Sequence, residues 1–189
     1  MTEALAAAAR RIVEAYGVPG VALSILKDGK PIWRECIGVM STATNRPMHD
    51  RATFDIGSIS KTFNAATVGM LVEEGKLSWD TRAIDVLPGF HLSDDSLSRH
   101  VSMRDLVGQS VGFGEDNIMN YNSRFTREEI IGLIPTLPLR AGFRAECAYQ
   151  QFGPIVATAI VERLTGEPWE GYVESQMRDR LGMEETWGS

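Results

Sequence analysis

Apolar residues alternate with polar ones at helical spacing along residues 2–16, an alanine-rich stretch closed by Gly17, and the pattern predicts an amphipathic helix. Pro19-Gly20 ends it. Two β-rich runs follow, Val21 to Lys27 and Pro31 to Val39, joined by Asp28-Gly29-Lys30, and they read as a hairpin. Both strands carry apolar residues at odd and even positions, which predicts a sheet covered on both faces by helices. Residues 40–53 are polar and read as a loop.

Beyond that point the periodicity is mostly helical. A helix is expected from about Ser58 to Gly75, with Phe63, Ala66, Thr67, Met70 and Leu71 facing inward. Asp80 to Leu87 reads as a short helix stopped by Pro88-Gly89. Ser102-Met-Arg-Asp105 and Thr126-Arg-Glu-Glu129 each have the form of a capping box that opens a helix. Gly153 to Leu164 is a strongly apolar helix closed by Thr165-Gly166, and Pro168 to Leu181 is a last amphipathic helix ended by Gly182. Only two strands are thus expected, too few to bury their own faces or satisfy their edges. The chain stops at Thr186-Trp-Gly-Ser189, directly after a helix. The expectation is the N-terminal part of a longer protein, whose exposed sheet edge favours self-association.

Composition narrows the function classes. With 43% hydrophobic and 23% charged residues, the 189-residue chain has the makeup of a soluble globular domain. A net charge of −6 without any Lys/Arg block argues against nucleic acid and against an anionic membrane surface as partners. Residues 2–9 lack a basic leader, and Arg10-Arg11 interrupt the stretch before it reaches signal-core length, so a cytoplasmic location is expected. Cys36 and Cys147 form no CxxC or Cys/His cluster and are expected as buried, reduced thiols. His49, His91 and His100 lie in polar surroundings without metal-ligand spacing and are expected at the surface, so no metal site is expected.

Two Ser-x-x-Lys segments occur. Ser24 and Lys27 fall on the first predicted strand, where positions three apart face opposite sides, so they cannot cooperate. Ser58 and Lys61 fall where a helix begins, in Phe54-Asp-Ile-Gly-Ser-Ile-Ser-Lys-Thr-Phe63, and lie on one face. A serine hydroxyl is a poor nucleophile until a neighbour takes its proton, and a lysine so placed can do so. Spacing alone leaves two readings open, a nucleophile and a serine that caps its helix.

With these segments laid out, the chain resembles the beta-lactamase-related serine hydrolases: class C beta-lactamases, D-alanyl-D-alanine carboxypeptidases and the esterases of the same fold. The resemblance rests on Gly20-Val-Ala-Leu-Ser, the Ser58 segment, Leu71-Val-Glu-Glu-Gly-Lys-Leu-Ser-Trp-Asp80, Glu162-Arg-Leu-Thr-Gly-Glu-Pro-Trp169 and Leu181-Gly-Met-Glu-Glu-Thr186, in the family's order. It implies an α/β (α+β) fold of the beta-lactamase/transpeptidase type, an antiparallel sheet flanked by helices plus a helical region, with C-terminal strands missing. Residues 1–189 would form the N-terminal part of one such domain, 1–56 being the helix and hairpin and 57–189 the mainly helical region.

The family's Tyr-x-Asn motif, counted back from Gly166, falls on Tyr149 and Gln151. The resemblance therefore implies Ser58, Lys61 and Tyr149 as catalytic residues and Gln151 as a substrate-binding one, with glutamine in place of asparagine. A phenol held near a lysine can exist partly as phenolate and shuttle a proton. Gln109 and Val111 replace the histidine and serine that relatives commonly carry in Leu106-Val-Gly-Gln-Ser-Val-Gly-Phe113, and both positions read as structural. The third family motif, a Lys/His-x-Gly strand that supplies an oxyanion-hole donor, lies beyond residue 189 in the family's order. The implied function is acyl-enzyme hydrolysis of a small-molecule ester, amide or beta-lactam by a cytoplasmic, esterase-like member that needs no cofactor. The alternative is a non-catalytic binding or self-associating scaffold of the same fold.

Overall fold

A computed structural model describes residues 2–114 and 125–187 of the chain. Gly188 and Ser189, the end of the tail on which the expectation of a longer protein partly rests, lie outside the described residues. The chain divides into two compact units, one up to Asp55 and one from Ile56 onward.

The first unit holds helix α1 (Thr2–Ala15) and strands β1 (Gly20–Lys27), β2 (Lys30–Ser41) and β3 (Arg46–Pro47), ordered β1-β2-β3 and antiparallel. Asp28 and Gly29 form the two-residue hairpin turn at φ of 53° and 73°, the left-handed conformation whose twist matches that of paired strands. The register places Val21 opposite Ile37, Leu23 opposite Glu35 and Ile25 opposite Trp33. Arg10 of α1 donates to Glu35 of β2 at 2.7 Å. Ser24 and Lys27 both lie on β1 and both are exposed.

Two expectations change here. The segment read as a polar loop contains the short strand β3, where Val39 pairs with Pro47 across an irregular register. The hairpin is also not buried on both sides. Val21, Leu23 and Ile25 share a half-buried face, Ala22, Ser24 and Leu26 are exposed, and no described residue of this unit is buried.

The second unit is helical: α2 (Ser60–Glu73), α3 (Ala83–Val86), α4 (Asp95–Ser98), α5 (Met103–Val107), α6 (Arg127–Leu133), α7 (Phe152–Thr165), α8 (Trp169–Val173) and α9 (Asp179–Leu181). Both capping boxes form: Ser102 with Asp105 opens α5, and Thr126 with Glu129 opens α6. The helix read as Asp80–Leu87 shortens to α3, because Thr81 and the Arg82–Ser102 bridge use the preceding backbone in extended pairing with the start of α5. The last amphipathic segment contains a π turn, Glu174–Arg178, between α8 and α9.

The core of this unit is one cluster joining α2, α5 and α7, in which Val68, Leu71, Met103, Leu106, Val156 and Ile160 are each 0% exposed. Each such side chain contributes about 1.5–3 kcal/mol through burial. Phe113 and Phe152 add a tilted ring pair at 5.5 Å. Gly153 lets α7 approach α5, since a Cβ there would sit 2.5 Å from the Leu106 carbonyl oxygen. Val111, one of the two departures noted in the sequence, is a core residue at 0% exposure.

The buried face of α2 is rotated from the expected one. Asn64, Thr67, Val68 and Leu71 are buried, whereas Phe63, Ala66 and Met70 are only partly so. The reason is polar: Asn64 Nδ2 donates to Thr158 Oγ1 at 2.8 Å and to the Pro154 carbonyl at 3.3 Å, so the amide turns toward α7. Thr67 Oγ1 donates to the Asn64 carbonyl at 2.8 Å and accepts from Trp169 Nε1 at 3.1 Å, adding α8 to the joint. Arg127 of α6 donates to Glu162 of α7 at 2.6 Å and also pairs with Glu170 of α8. No helix among the described residues is long and apolar enough to cross a membrane.

Candidate active site

Ser58 lies in a 3₁₀ turn, Gly57–Ile59, that leads into α2, one step before the helix in which the sequence pattern placed it. Residues three apart on a helical backbone are neighbours, and Lys61 of α2 stands beside it. The helix to which Lys61 belongs is fixed from behind by Asn64, one turn further on and 4% exposed. Tyr149 and Gln151 come from the segment that enters α7, 88 and 90 positions from Lys61.

These four side chains meet. Lys61 Nζ donates to Ser58 Oγ at 3.2 Å, to Tyr149 Oη at 3.2 Å and to Gln151 Oε1 at 2.5 Å. Three acceptors match the three N–H bonds of an ammonium. Tyr149 Oη donates to Ser58 Oγ, and Lys61 Nζ stands 4.8 Å from the centre of the phenol ring. The site opens to solvent: Ser58 is exposed and Tyr149 is 48% exposed. The hydrogen bond with Ser58, then that from Lys61, holds the Tyr149 hydroxyl below the usual range of a tyrosine, against a smaller opposing effect of desolvation. Gln151, one methylene longer than asparagine, reaches Lys61 through its Oε1.

The segment bearing Tyr149 is pinned by an ion pair that the sequence did not disclose. Asp105, recognised only as a helix cap, is 3% exposed, and Arg144 closes on it with a two-pronged fork at 2.8 Å for each bond. Burial pushes this carboxyl up, but the hydrogen bonds from Arg144 and Ser102 outweigh burial and hold it down at about 2. The cap at Ser102-x-x-Asp105 was legible from spacing; Arg144, 39 positions away, had no local signal.

Cys147 is exposed and Cys36 half-buried, both as free thiols, which corrects the expectation of two buried ones. Cys147 sits in the irregular approach to α7, ahead of the first buried residue there, Gln150. His49, His91 and His100 are exposed as expected. Among the described residues no group of three or more His, Cys, Asp or Glu side chains is placed to hold a metal ion.

Residues 5–189 match the family described as beta-lactamase. The chain belongs to the beta-lactamase family. It is 29% identical over 180 residues to penicillin-binding protein 4 of Amycolatopsis lactamdurans, covering 90% of this chain and 45% of that protein. A hydrolase of unguisins from Aspergillus violaceofuscus is 25% identical over 190 residues, covering 94% of this chain and 33% of that protein. Among solved structures, the octameric penicillin-binding protein homologue of Pyrococcus abyssi superposes with a TM-score of 0.83 at 24% identity, covering 96% of this chain and 43% of the other. This beta-lactamase family member thus has the beta-lactamase/transpeptidase-like fold, a helical region with an antiparallel sheet, and spans less than half the length of these relatives.

Proposed function

We propose that the chain carries the acylating centre of a serine hydrolase that acts on an ester, amide or lactam carbonyl. The observation that supports this is the convergence of Ser58, Lys61, Tyr149 and Gln151 through four hydrogen bonds across two helix entries. A serine that only capped its helix would accept from the backbone of the next turn; the turn that holds Ser58 has no side-chain cap.

In this reading Lys61 works as an ammonium, its three N–H bonds directed at Ser58, Tyr149 and Gln151, and it stabilises Tyr149 as phenolate. With Tyr149 ionised, the bond it donates to Ser58 in the resting geometry reverses, and the Ser58 hydroxyl gives its proton to the phenolate as Oγ bonds to the carbonyl carbon. The tetrahedral oxyanion takes the Ser58 backbone N–H as one donor. When the leaving group departs with the bonding electron pair, Tyr149 returns the proton to it, and the acyl group stays on Ser58. Water, deprotonated by Tyr149 in the same geometry, then releases the acid and restores the serine. Gln151 fixes Lys61 through its carbonyl oxygen and also meets the Tyr149 hydroxyl, and of the two N–H bonds on its amide one is assigned to a substrate carbonyl. We place the protein among the cytoplasmic, esterase-like members.

Intact-mass spectrometry after incubation with a serine-directed phosphonate tests the centre. One adduct on the chain that disappears in Ser58→Ala is expected. No adduct on folded protein would remove the catalytic reading and leave the non-catalytic scaffold. Parallel turnover of p-nitrophenyl esters, a D-alanyl amide and a chromogenic cephalosporin tests the substrate class, with the esters expected to be fastest.

A further inference from the structure

We propose that Gln109 is a positioning residue for Tyr149, its side-chain carbonyl supplying the last rung of a backbone ladder that aims the phenol at Ser58 and Lys61. The inference rests on the reading of Tyr149 given above and concerns how that residue is held.

The segment 109–113 receives residues 139–150 rung by rung. Phe113 bridges Leu139, Arg140 N donates to the Gly112 carbonyl at 2.9 Å, and Arg144 N donates to the Ser110 carbonyl at 2.7 Å. Ala148 N then donates to the Gln109 carbonyl at 3.0 Å. Here α5 ends, with Gly108 N donating back to the Arg104 carbonyl at 2.8 Å and Gln109 N to the Leu106 carbonyl at 3.4 Å, and the next rung is made by a side chain. The next N–H that needs a partner is that of Gln150, and it donates to Gln109 Oε1 at 2.9 Å. The two bonds bracket Tyr149, one residue to either side.

Two features make this bracket a specific device. Gln109 is not glycine yet sits at φ 57°, a left-handed conformation seldom adopted by residues with side chains, at the point where the chain leaves α5. Gln150 is 1% exposed, and its own Oε1 accepts from Gly153 N at 2.7 Å, so the same residue that Gln109 grips also ties the first turn of α7. An N–H buried there without Gln109 would have no water to replace the acceptor. The groups that meet the Tyr149 hydroxyl are Ser58 from the 3₁₀ turn, Lys61 from α2 and Gln151 from its own segment.

The test compares Gln109→Asn with Gln109→Glu. Asparagine tolerates the left-handed backbone and keeps the main-chain rung but is one methylene too short to reach Gln150. Glutamate keeps both reach and acceptor. Phosphonate labelling of Ser58 is timed, and the titration of Tyr149 is followed by NMR of tyrosine labelled at ¹³Cζ, assigned with Tyr149→Phe. Gln109→Asn is expected to slow labelling about tenfold, within the range that a misplacement of about 1 Å costs. It should also move the Tyr149 midpoint up toward the ordinary value of about 10. Gln109→Glu is expected to label within about threefold of the unsubstituted chain, as an acceptor-based role requires. Unchanged labelling and titration in Gln109→Asn, or Gln109→Glu as slow as Gln109→Asn, overturns the positioning role alone. An unsubstituted chain that neither labels at Ser58 nor shows a lowered Tyr149 midpoint removes the reading of the centre, and this inference with it.

Discussion

Leu23 and Ile25 on β1 and Val68 and Leu71 on α2 are aliphatic side chains of one kind, yet the first pair is only half-buried and the second is 0% exposed. The unit up to Asp55 is organised by the β1–β2 ladder and the Arg10–Glu35 pair and has no buried described residue. The unit from Ile56 onward is organised by a core that joins α2, α5 and α7. All four candidate site residues belong to the second. Geometry at tenths of an ångström needs rotamers locked by packing, and only this unit supplies them.

The largest test of this contrast is Leu71→Ala, expected to cost about 3 kcal/mol in the second unit, as a fully buried leucine does. Hydrogen exchange read by mass spectrometry should show protection falling across α2 and α7. Leu23→Ala, at its half-buried position, should cost under about 1.5 kcal/mol. Equal losses from the two substitutions would erase the contrast.

Acid comes next. The Asp105 carboxyl is held at about 2, below the ordinary value of about 3.9 in an unfolded chain. A depressed carboxyl contributes stability that is fully present above the unfolded value and is lost as pH falls from about 4 through about 2. The contribution is about 2–3 kcal/mol. Urea unfolding between about pH 5 and pH 2 should show that decline, and Asp105→Asn should flatten it.

Asn64→Ala is expected to cost about 1–2 kcal/mol, because Thr158 Oγ1 and the Pro154 carbonyl lose a buried partner. It should also slow phosphonate labelling, since α2 carries Lys61; a full loss of stability without slower labelling would separate the helix joint from the site. Smallest is Arg10→Ala in the first unit. Its side chain is 66% exposed, and the pair with Glu35 is worth under about 1 kcal/mol, measurable as a small drop in hairpin protection.

The sequence went further at some positions than others. The pairing of Ser58 with Lys61, the capping boxes at Ser102 and Thr126 and the turn at Asp28-Gly29 were legible because each is set by residues within four positions of one another. Tyr149 was reached only by resemblance to a family, its partners being 88 and 91 positions away. The inward face of α2 was misread toward Phe63 and Met70 because apolar periodicity does not register a buried amide such as Asn64. Gln109 stands out in the sequence as a departure from relatives, yet its acceptor role depends on where residue 150 passes.

What the sequence determined by itself, then, is local: helix entries, caps, the hairpin turn and the adjacency of nucleophile and lysine, all fixed by backbone periodicity and short side-chain reach. The tertiary structure alone decided that Arg144 would close on Asp105, that Asn64 would turn toward α7 and that Gln109 would hold the segment of Tyr149. Each of these joins residues 39 to 94 positions apart. Such contacts exist only after burial has brought the elements together, because a hydrogen bond gains its structural force when water is no longer there to compete for it.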